Sequence, residues 1–468
     1  MKHIGMNIKL AVGLLAAAAV MCAAGGQSSQ RVERPAPPAR IGAETCEQFA
    51  ERMRWFVDAR FGMFIHFGLY SLPAWHEWIK TRRVVPEEAY QRYFDNFNPD
   101  LFDAREWVRK AKSAGMRYIV LTAKHHEGFC LWDTKFTDYK ITNTPFGRDL
   151  VRELVDVCHQ EGMRIGFYYS LLDWHHPDFT VDPIHPLRPK GEECWGGVGT
   201  NDKGYEEINS GRDMRRYVQY MKDQIAELLT NYGRIDLLWY DFSYPDRGKC
   251  WTSWDSVGLL ELTRKLQPWI IVNDRLDLSD VEGGWDFVTV EQKKADSWPI
   301  RNGRRAVWET CQTFSGSWGY ARDENSWKSP EDLVELLFET VSKGGNLILN
   351  VGPTGRGDFD WRANDRLEAM SRWMRFNGRS IYGCTRAPED IKPPDGTLLT
   401  WNDSSSRLYV AIVKYPDDGE LECQFSDRVL YAQLLHDASE VKVDNGKMIL
   451  PKDKPKQSLV VVEASIRR

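Results

Sequence analysis

The sequence predicts an α/β fold: an irregular (β/α)8 barrel of the TIM type, followed by a small C-terminal antiparallel β-sandwich. Three observations predict it. Amphipathic helical stretches alternate with short apolar runs. Each of these helices stops at a glycine, and a basic residue then leads into the apolar run. Beyond about Glu389 the texture changes to short alternating runs separated by turn signals.

The elements follow in order. Residues 1–25 read as a signal peptide. Lys2, His3 and Lys9 give the positive start, Leu10 to Ala24 the apolar run, and Ala23, Ala24 and Gly25 the small residues of a cleavage site. The run is shorter than the ~20 residues a membrane span needs. The expected destination is export, to the periplasm or the medium, and Cys22 offers a lipid attachment point. Residues 26–44, with Pro35, Pro37 and Pro38, read as a linker. Residues 45–385 read as the barrel and 386–468 as the sandwich.

In the barrel, Phe102–Ala114 places Trp107, Val108, Ala111 and Ala114 at helical spacing and ends at Gly115. Leu150–Glu161 ends at Gly162, and Met214–Tyr232 at Gly233. The apolar runs after them end "YIVLTAKHH", "GFYYS" and "LLWYD". Strands are also expected at 60–68, 269–275, 285–291, 305–311 and 345–352, which makes eight. Strands five, six and seven lie too close in sequence for full crossover helices, hence an irregular barrel. A doubly wound open sheet is the alternative, but its phosphate-binding glycine loop is missing. In the last segment, Asn402–Asp403–Ser404, Pro416–Asp417–Asp418–Gly419 and Asp444–Asn445–Gly446 mark the turns.

Composition narrows the function. The 468 residues are 42% hydrophobic and 28% charged with net charge −5, so no basic surplus exists to neutralise nucleic acid. The chain carries 19 Trp, 18 Tyr and 20 Phe, and flat aromatic faces suit the apolar faces of sugars. The eight cysteines after Cys22 are scattered without a C-x-x-C pair, so no zinc site is expected. Cys194 and Cys250 lie in loop-like segments that would permit a disulfide.

Barrel chemistry sits at the C-terminal ends of the strands. Those positions hold His66, His125, His126, Tyr168, Tyr169, Trp239, Asp241, Asn273, Asp274, Arg275, Glu291, Glu309 and Asn350. Glycoside hydrolysis needs two carboxylates, one to attack the anomeric carbon or activate water and one to protonate the leaving oxygen. Asp241 ends an apolar strand and suits the first role. Glu291 and Glu309 end later strands, and either suits the second. Adjacent strand residues face opposite ways, so His125 and His126 are expected to bond sugar hydroxyls rather than share a metal ion.

Taken together, "RFGMFIHFGLYSLPAWHEWI", "AKHHEGFCLWDTKFTDY", "GFYYSLLDWHHPDF", "LLWYDF", "VNDR", "WETC", "SWGY" and "GGNLILNVGPTGRG" resemble glycoside hydrolase family twenty-nine, the retaining α-L-fucosidases, over about residues 48–385. The resemblance implies an exo-acting enzyme that removes terminal α-L-fucose from oligosaccharides or glycoconjugates by double displacement. No cofactor and no metal are expected. The resemblance makes Asp241 the nucleophile and places His66, Glu77, Trp78, His125, His126, Tyr169, Trp239 and Arg275 around the sugar, with Trp318 of "SWGY" as an aromatic wall against the fucose methyl group. The family's acid/base follows the Arg motif in a "TPE"-like segment. Here that segment reads Thr289–Val290–Glu291, without the proline, so Glu291 is the assignment and Glu309 the fallback. The rivals are a barrel glycosidase for a related sugar such as a galactoside, and a catalytically silent fucose-binding protein. Loops such as Pro183–Asp213 are expected to set which glycans are accepted.

Overall fold

The computed structural model describes residues 35–243 and 248–467. The predicted leader at 1–25, Cys22 within it and the first part of the predicted linker lie outside the described residues. Eight strands pair in parallel: β1 Phe61–Ile65, β2 Tyr118–Lys124, β3 Arg164–Ser170, β4 Leu237–Asp241, β5 Ile271–Val272, β6 Val288–Glu291, β7 Trp308–Thr313 and β8 Asn346–Val351. Their spatial order is β5-β4-β3-β2-β1-β8-β7-β6, a sheet curled so that its two ends meet. The seam is a parallel bridge between Asn273 and Phe287. Asp286 reinforces it. Its N–H donates to the Val272 carbonyl at 2.8 Å, and its Oδ2 accepts from the Val272 N–H at 2.8 Å.

The longer helices among the described residues are α1 Cys46–Ala59, α2 Ala104–Ser113, α3 Leu150–Gln160, α4 Met214–Asn231, α5 Ser256–Leu266, α6 Pro330–Ser342 and α7 Trp361–Asn377. Side-chain oxygens cap their N-termini: Asp103, Asp149 and Asp213 at α2 to α4, Ser329 at α6 and Asp360 at α7. No helix joins β5 to β6 or β6 to β7. The second gap holds only the hairpin Ile300–Arg301 with Arg304–Arg305, so the barrel is irregular where the strand spacing predicted.

Strand alternation divides the packing. On β3, Ile165, Phe167 and Tyr169 face the surrounding helices, while Tyr168 points into the barrel. On β4, Leu238 and Tyr240 face out, while Leu237 and Trp239 face in. Helix α1 closes the bottom of the barrel, with the Phe56 ring 5.5 Å from Tyr118 and 4.9 Å from Phe287. At the other end Phe64, Tyr168 and Trp239 complete the interior cluster. The predicted linker does not run free up to residue 44. Ile41 is buried, its N–H donates to the Glu282 carbonyl at 2.8 Å, and Ala36 onward belongs to the same compact unit as the barrel.

The C-terminal segment holds β9 Thr385–Arg386, β10 Thr397–Asn402, β11 Arg407–Ile412, β12 Glu420–Glu422, β13 Val429–Leu434, β14 Lys442–Asp444, β15 Lys447–Ile449 and β16 Val460–Ile466. They form two antiparallel sheets, ordered β9-β10-β11-β16-β13 and β12-β15-β14. Leu408, Val410 and Val462 of the first share a core with Leu421 and Met448 of the second. The Trp373 indole of α7 donates to the Leu459 carbonyl at 2.8 Å and ties this domain to the barrel. No disulfide joins any of the eight cysteines among the described residues, Cys194 and Cys250 included. No described helix is long and apolar enough to cross a membrane.

Candidate active site

A cavity of about 600 Å³ opens at the C-terminal ends of the strands. Asp241 is the last residue of β4 and Glu291 the last of β6. Each is followed by a non-glycine residue in the left-handed region, Phe242 at φ 83° and Gln292 at φ 51°. Such a residue costs roughly 1–2 kcal/mol, and here it turns the chain sharply away so that the carboxylate stands alone at the strand end.

One guanidinium joins the two acids. Arg275 Nη1 donates to Asp241 Oδ1 at 2.8 Å, Nη2 donates to Glu291 Oε2 at 2.6 Å, and Nε donates to Thr289 Oγ1 at 3.1 Å. The Tyr168 hydroxyl donates to the other Asp241 oxygen at 2.7 Å. Burial pushes the Asp241 carboxyl above its ordinary value, and the Glu291 charge adds to this. Arg275 and Tyr168 oppose without cancelling it.

The histidines are neutral acceptors. Burial pushes His66 down to about 4 and His125 and His126 well below the usual imidazole range. The Ser170 hydroxyl donates to the Leu172 carbonyl at 2.8 Å, so its contact with His126 Nδ1 at 2.7 Å is one in which Nδ1 carries the proton. That leaves a lone pair on His126 Nε2, 3.9 Å from Asp241 Oδ2. His66 Nδ1 lies 2.6 Å from Asn350 Oδ1, while the Asn350 amide N–H donates to the Trp318 carbonyl, so His66 also holds its proton on Nδ1. Neutral imidazoles aimed this way suit hydroxyl donors.

Glu77 organises the opposite rim. Its Oε2 accepts from Ser317 Oγ, Trp318 N–H and Gly319 N–H at 3.1, 3.2 and 2.9 Å. Burial works to raise this carboxyl, but His76 and the Gly319 N–H outweigh it and hold it below its ordinary value. Behind the site, buried Lys124 pairs with buried Asp173 at 2.9 Å. Asp173 accepts from the His175 and His176 N–H groups, and the Trp174 N–H donates to the His126 carbonyl at 2.8 Å.

The cavity brings together His66, Glu77, Trp78, His125, His126, Trp239, Asp241, Arg275, Glu291 and Trp318. Asn273, Asp274 and Asn350 do not line it, and of the residues expected to act on or hold the sugar two more are absent. Tyr169 faces outward and donates to Gln224 Oε1 at 2.7 Å, and Tyr168 takes its place on the inward side of β3. Glu309 is the second residue of β7, which runs on to Thr313 rather than stopping near Cys311. It therefore sits near the barrel floor, fully buried, accepting from the Tyr118 hydroxyl.

The expectation that His125 and His126 face opposite ways also fails. The β2–β3 register shifts between Thr122 and Lys124, and both histidines lie beyond β2, so alternation has lapsed and their rings are 4.0 Å apart. No group of three His, Cys, Asp or Glu residues able to hold a metal occurs among the described residues. The cavity also includes Phe64, His76, Arg82, Trp195, Phe242, Gln292, Ser315 and Gly316, which sequence reasoning missed. Alternation on β1 was the available signal for Phe64, two residues before His66. The loop residues had no periodic signal.

Glu309 yields a pH prediction. Burial pushes it from 4.5 up to about 8, with the hydrogen bond from Tyr118 and the nearby Trp239 indole opposing. Below pH 4.5 folded and unfolded chains both hold this proton. Between there and about pH 8 only the folded chain does, so this group's contribution to stability falls as pH rises. Glu309→Gln should remove that slope, so its urea midpoint gains on wild type from pH 5 to pH 8. A constant difference across that range would contradict a neutral buried Glu309.

A parallel barrel whose strand ends bring two carboxylates, neutral histidines and an aromatic wall into one cavity has the makeup of a glycoside hydrolase. The comparisons narrow the class. Residues 35–379 match the family model described as Alpha-L-fucosidase. The plasma α-L-fucosidase of Homo sapiens is 30% identical over 393 residues, covering 78% of this chain and 77% of its own. The structure of α-L-fucosidase isoenzyme 1 from Paenibacillus thiaminolyticus superposes with a TM-score of 0.81 at 37% identity, over 90% of this chain and 100% of that one. An α-L-fucosidase of Bacteroides thetaiotaomicron superposes with a TM-score of 0.75 at 26% identity, over 92% of this chain and 98% of that one. The chain belongs to the α-L-fucosidases of glycoside hydrolase family twenty-nine.

Proposed function

We propose that this α-L-fucosidase is exo-acting and retaining. Asp241 attacks the anomeric carbon while protonated Glu291 gives its proton to the leaving oxygen. A glycosyl ester then links the sugar to Asp241. Glu291, now ionised, takes a proton from water, which attacks the same carbon and frees both fucose and Asp241. The observation that carries this reading is the shared guanidinium of Arg275. Carboxylates bonded to neighbouring nitrogens sit close together, which favours the ~5–5.5 Å spacing of retaining enzymes over the ~6.5–9.5 Å of inverting ones. The Bacteroides relative was trapped as a covalent intermediate with 2-fluoro-fucosyl fluoride in a glutamate-to-glutamine variant, which supports the same chemistry here.

The barrel core floors the cavity, so it accepts a chain end rather than a chain interior. Phe64, Trp239 and Trp318 supply apolar surface, with Phe64 5.4 Å from Trp239 and 6.0 Å from Trp318. That wall suits the methyl group of fucose better than the hydroxymethyl group of galactose. His66 and His126 would accept sugar hydroxyl protons through Nε2. Export through the leader at 1–25 completes the proposal.

Hydrolysis of an aryl α-L-fucoside, run beside the aryl α- and β-galactosides, tests it. Preferential release from the fucoside is expected. Preference for a galactoside would favour the related-sugar rival, and fucose binding without turnover the silent one.

A further inference from the structure

We propose that Trp195 and Arg82 form a subsite for the sugar that leaves, a pyranose ring stacked on the indole with hydroxyl oxygens turned to the guanidinium. The proposal rests on the α-L-fucosidase reading and adds to it the recognition of the other side of the bond.

Trp195 lines the catalytic cavity yet is 48% exposed. It sits at the tip of a hairpin, Glu193–Cys194 with Gly197–Val198, inside the long β3–α4 connection. Trp195 and Gly196 both have positive φ, 44° and 83°. Successive left-handed residues make the turn that favours Asn-Gly or Gly-Gly, and a bulky tryptophan there is strained. A strained, half-exposed aromatic at a cavity mouth offers indole surface to a ligand.

The hairpin is firmly held. Buried Arg188 donates to the Gly197 carbonyl at 2.5 Å, to the Thr81 carbonyl at 3.1 Å and to the Glu192 carbonyl at 3.1 Å. A Cβ on Gly197 would come within 2.5 Å of the Arg82 carbonyl, so the glycine lets the hairpin close on that turn. The Trp195 ring stands edge-on to Trp78, 4.4 Å away, and Trp78 in turn packs on His126.

Arg82 ends the turn under this hairpin and also lines the cavity, where its charge is felt by His76. Asp241 and Glu291 are engaged by Arg275, and Glu77 accepts from Ser317, Trp318 and Gly319. Among the described residues the Arg82 guanidinium makes no ion pair, and its buried Nε has no hydrogen-bond partner. An arginine left unsatisfied against a cavity is a donor set awaiting oxygen acceptors. The cavity of about 600 Å³ has room for more than one monosaccharide.

The test compares α-L-fucosyl fluoride, whose leaving group has no sugar ring, with a fucosylated trisaccharide. Trp195→Gly removes the ring while easing the backbone, so a loss in that variant does not report misfolding. Trp195→Gly and Arg82→Gln are each expected to lower the trisaccharide-to-fluoride ratio of kcat/KM about tenfold. Trp195→Tyr should restore most of it. An unchanged ratio in both variants would overturn the subsite while leaving the fucosidase standing. A wild-type enzyme inert toward both substrates would remove the parent reading and this one with it.

Discussion

Replacing Asp241 with asparagine is expected to lower kcat by about 10⁴-fold or more without unfolding the protein. The amide keeps the shape and an oxygen for the Tyr168 hydroxyl, but it lacks the charge that attacks the anomeric carbon. Arg275 keeps Glu291 and Thr289 as partners, so no cation is left stranded in the barrel mouth. Circular dichroism and the thermal midpoint should stay near wild type while aryl fucoside hydrolysis disappears. Survival of most of the activity would remove Asp241 from the nucleophile's role.

Glu291→Gln should separate substrates by leaving group. A trisaccharide leaves as an alkoxide unless protonated, so its cleavage should fall by about 10²- to 10⁴-fold, the usual worth of a positioned acid. Fluoride departs without a proton, so the first step on α-L-fucosyl fluoride should be affected far less. The second step still needs a base, so fluoride should appear as a burst equal to the enzyme present, followed by slow turnover. Equal loss on both substrates with no burst would place the acid/base elsewhere. Glu309 is no substitute, because it lies at the barrel floor hydrogen-bonded to Tyr118.

Much of this was legible because apolar periodicity and glycine stops respond to burial and backbone geometry, both local to the sequence. Helices α2 to α4 stop just before Gly115, Gly162 and Gly233, and each glycine adopts positive φ. What failed depended on strand length and parity. Reading β7 as ending near Cys311 lifted Glu309 toward the mouth, and two more residues of strand put it near the floor. Tyr168 rather than Tyr169 faces the cavity, and its neighbour Trp239, two residues before Asp241, carries the same inward parity on the adjacent strand. His125 and His126 came together because a register shift broke the alternation that was to keep them apart. Trp195 and Arg82 were unreadable for another reason: a hairpin inside a long loop, held by one buried arginine, has no repeat for a sequence to display.

The most direct test of the central claim is to inactivate the enzyme with 2-deoxy-2-fluoro-α-L-fucosyl fluoride and map the labelled peptide. One equivalent of fluorofucosyl ester on Asp241, with α-fucose as the first product from an ordinary substrate, is the predicted result. A label on any other residue, or no label with β-fucose released first, would contradict it.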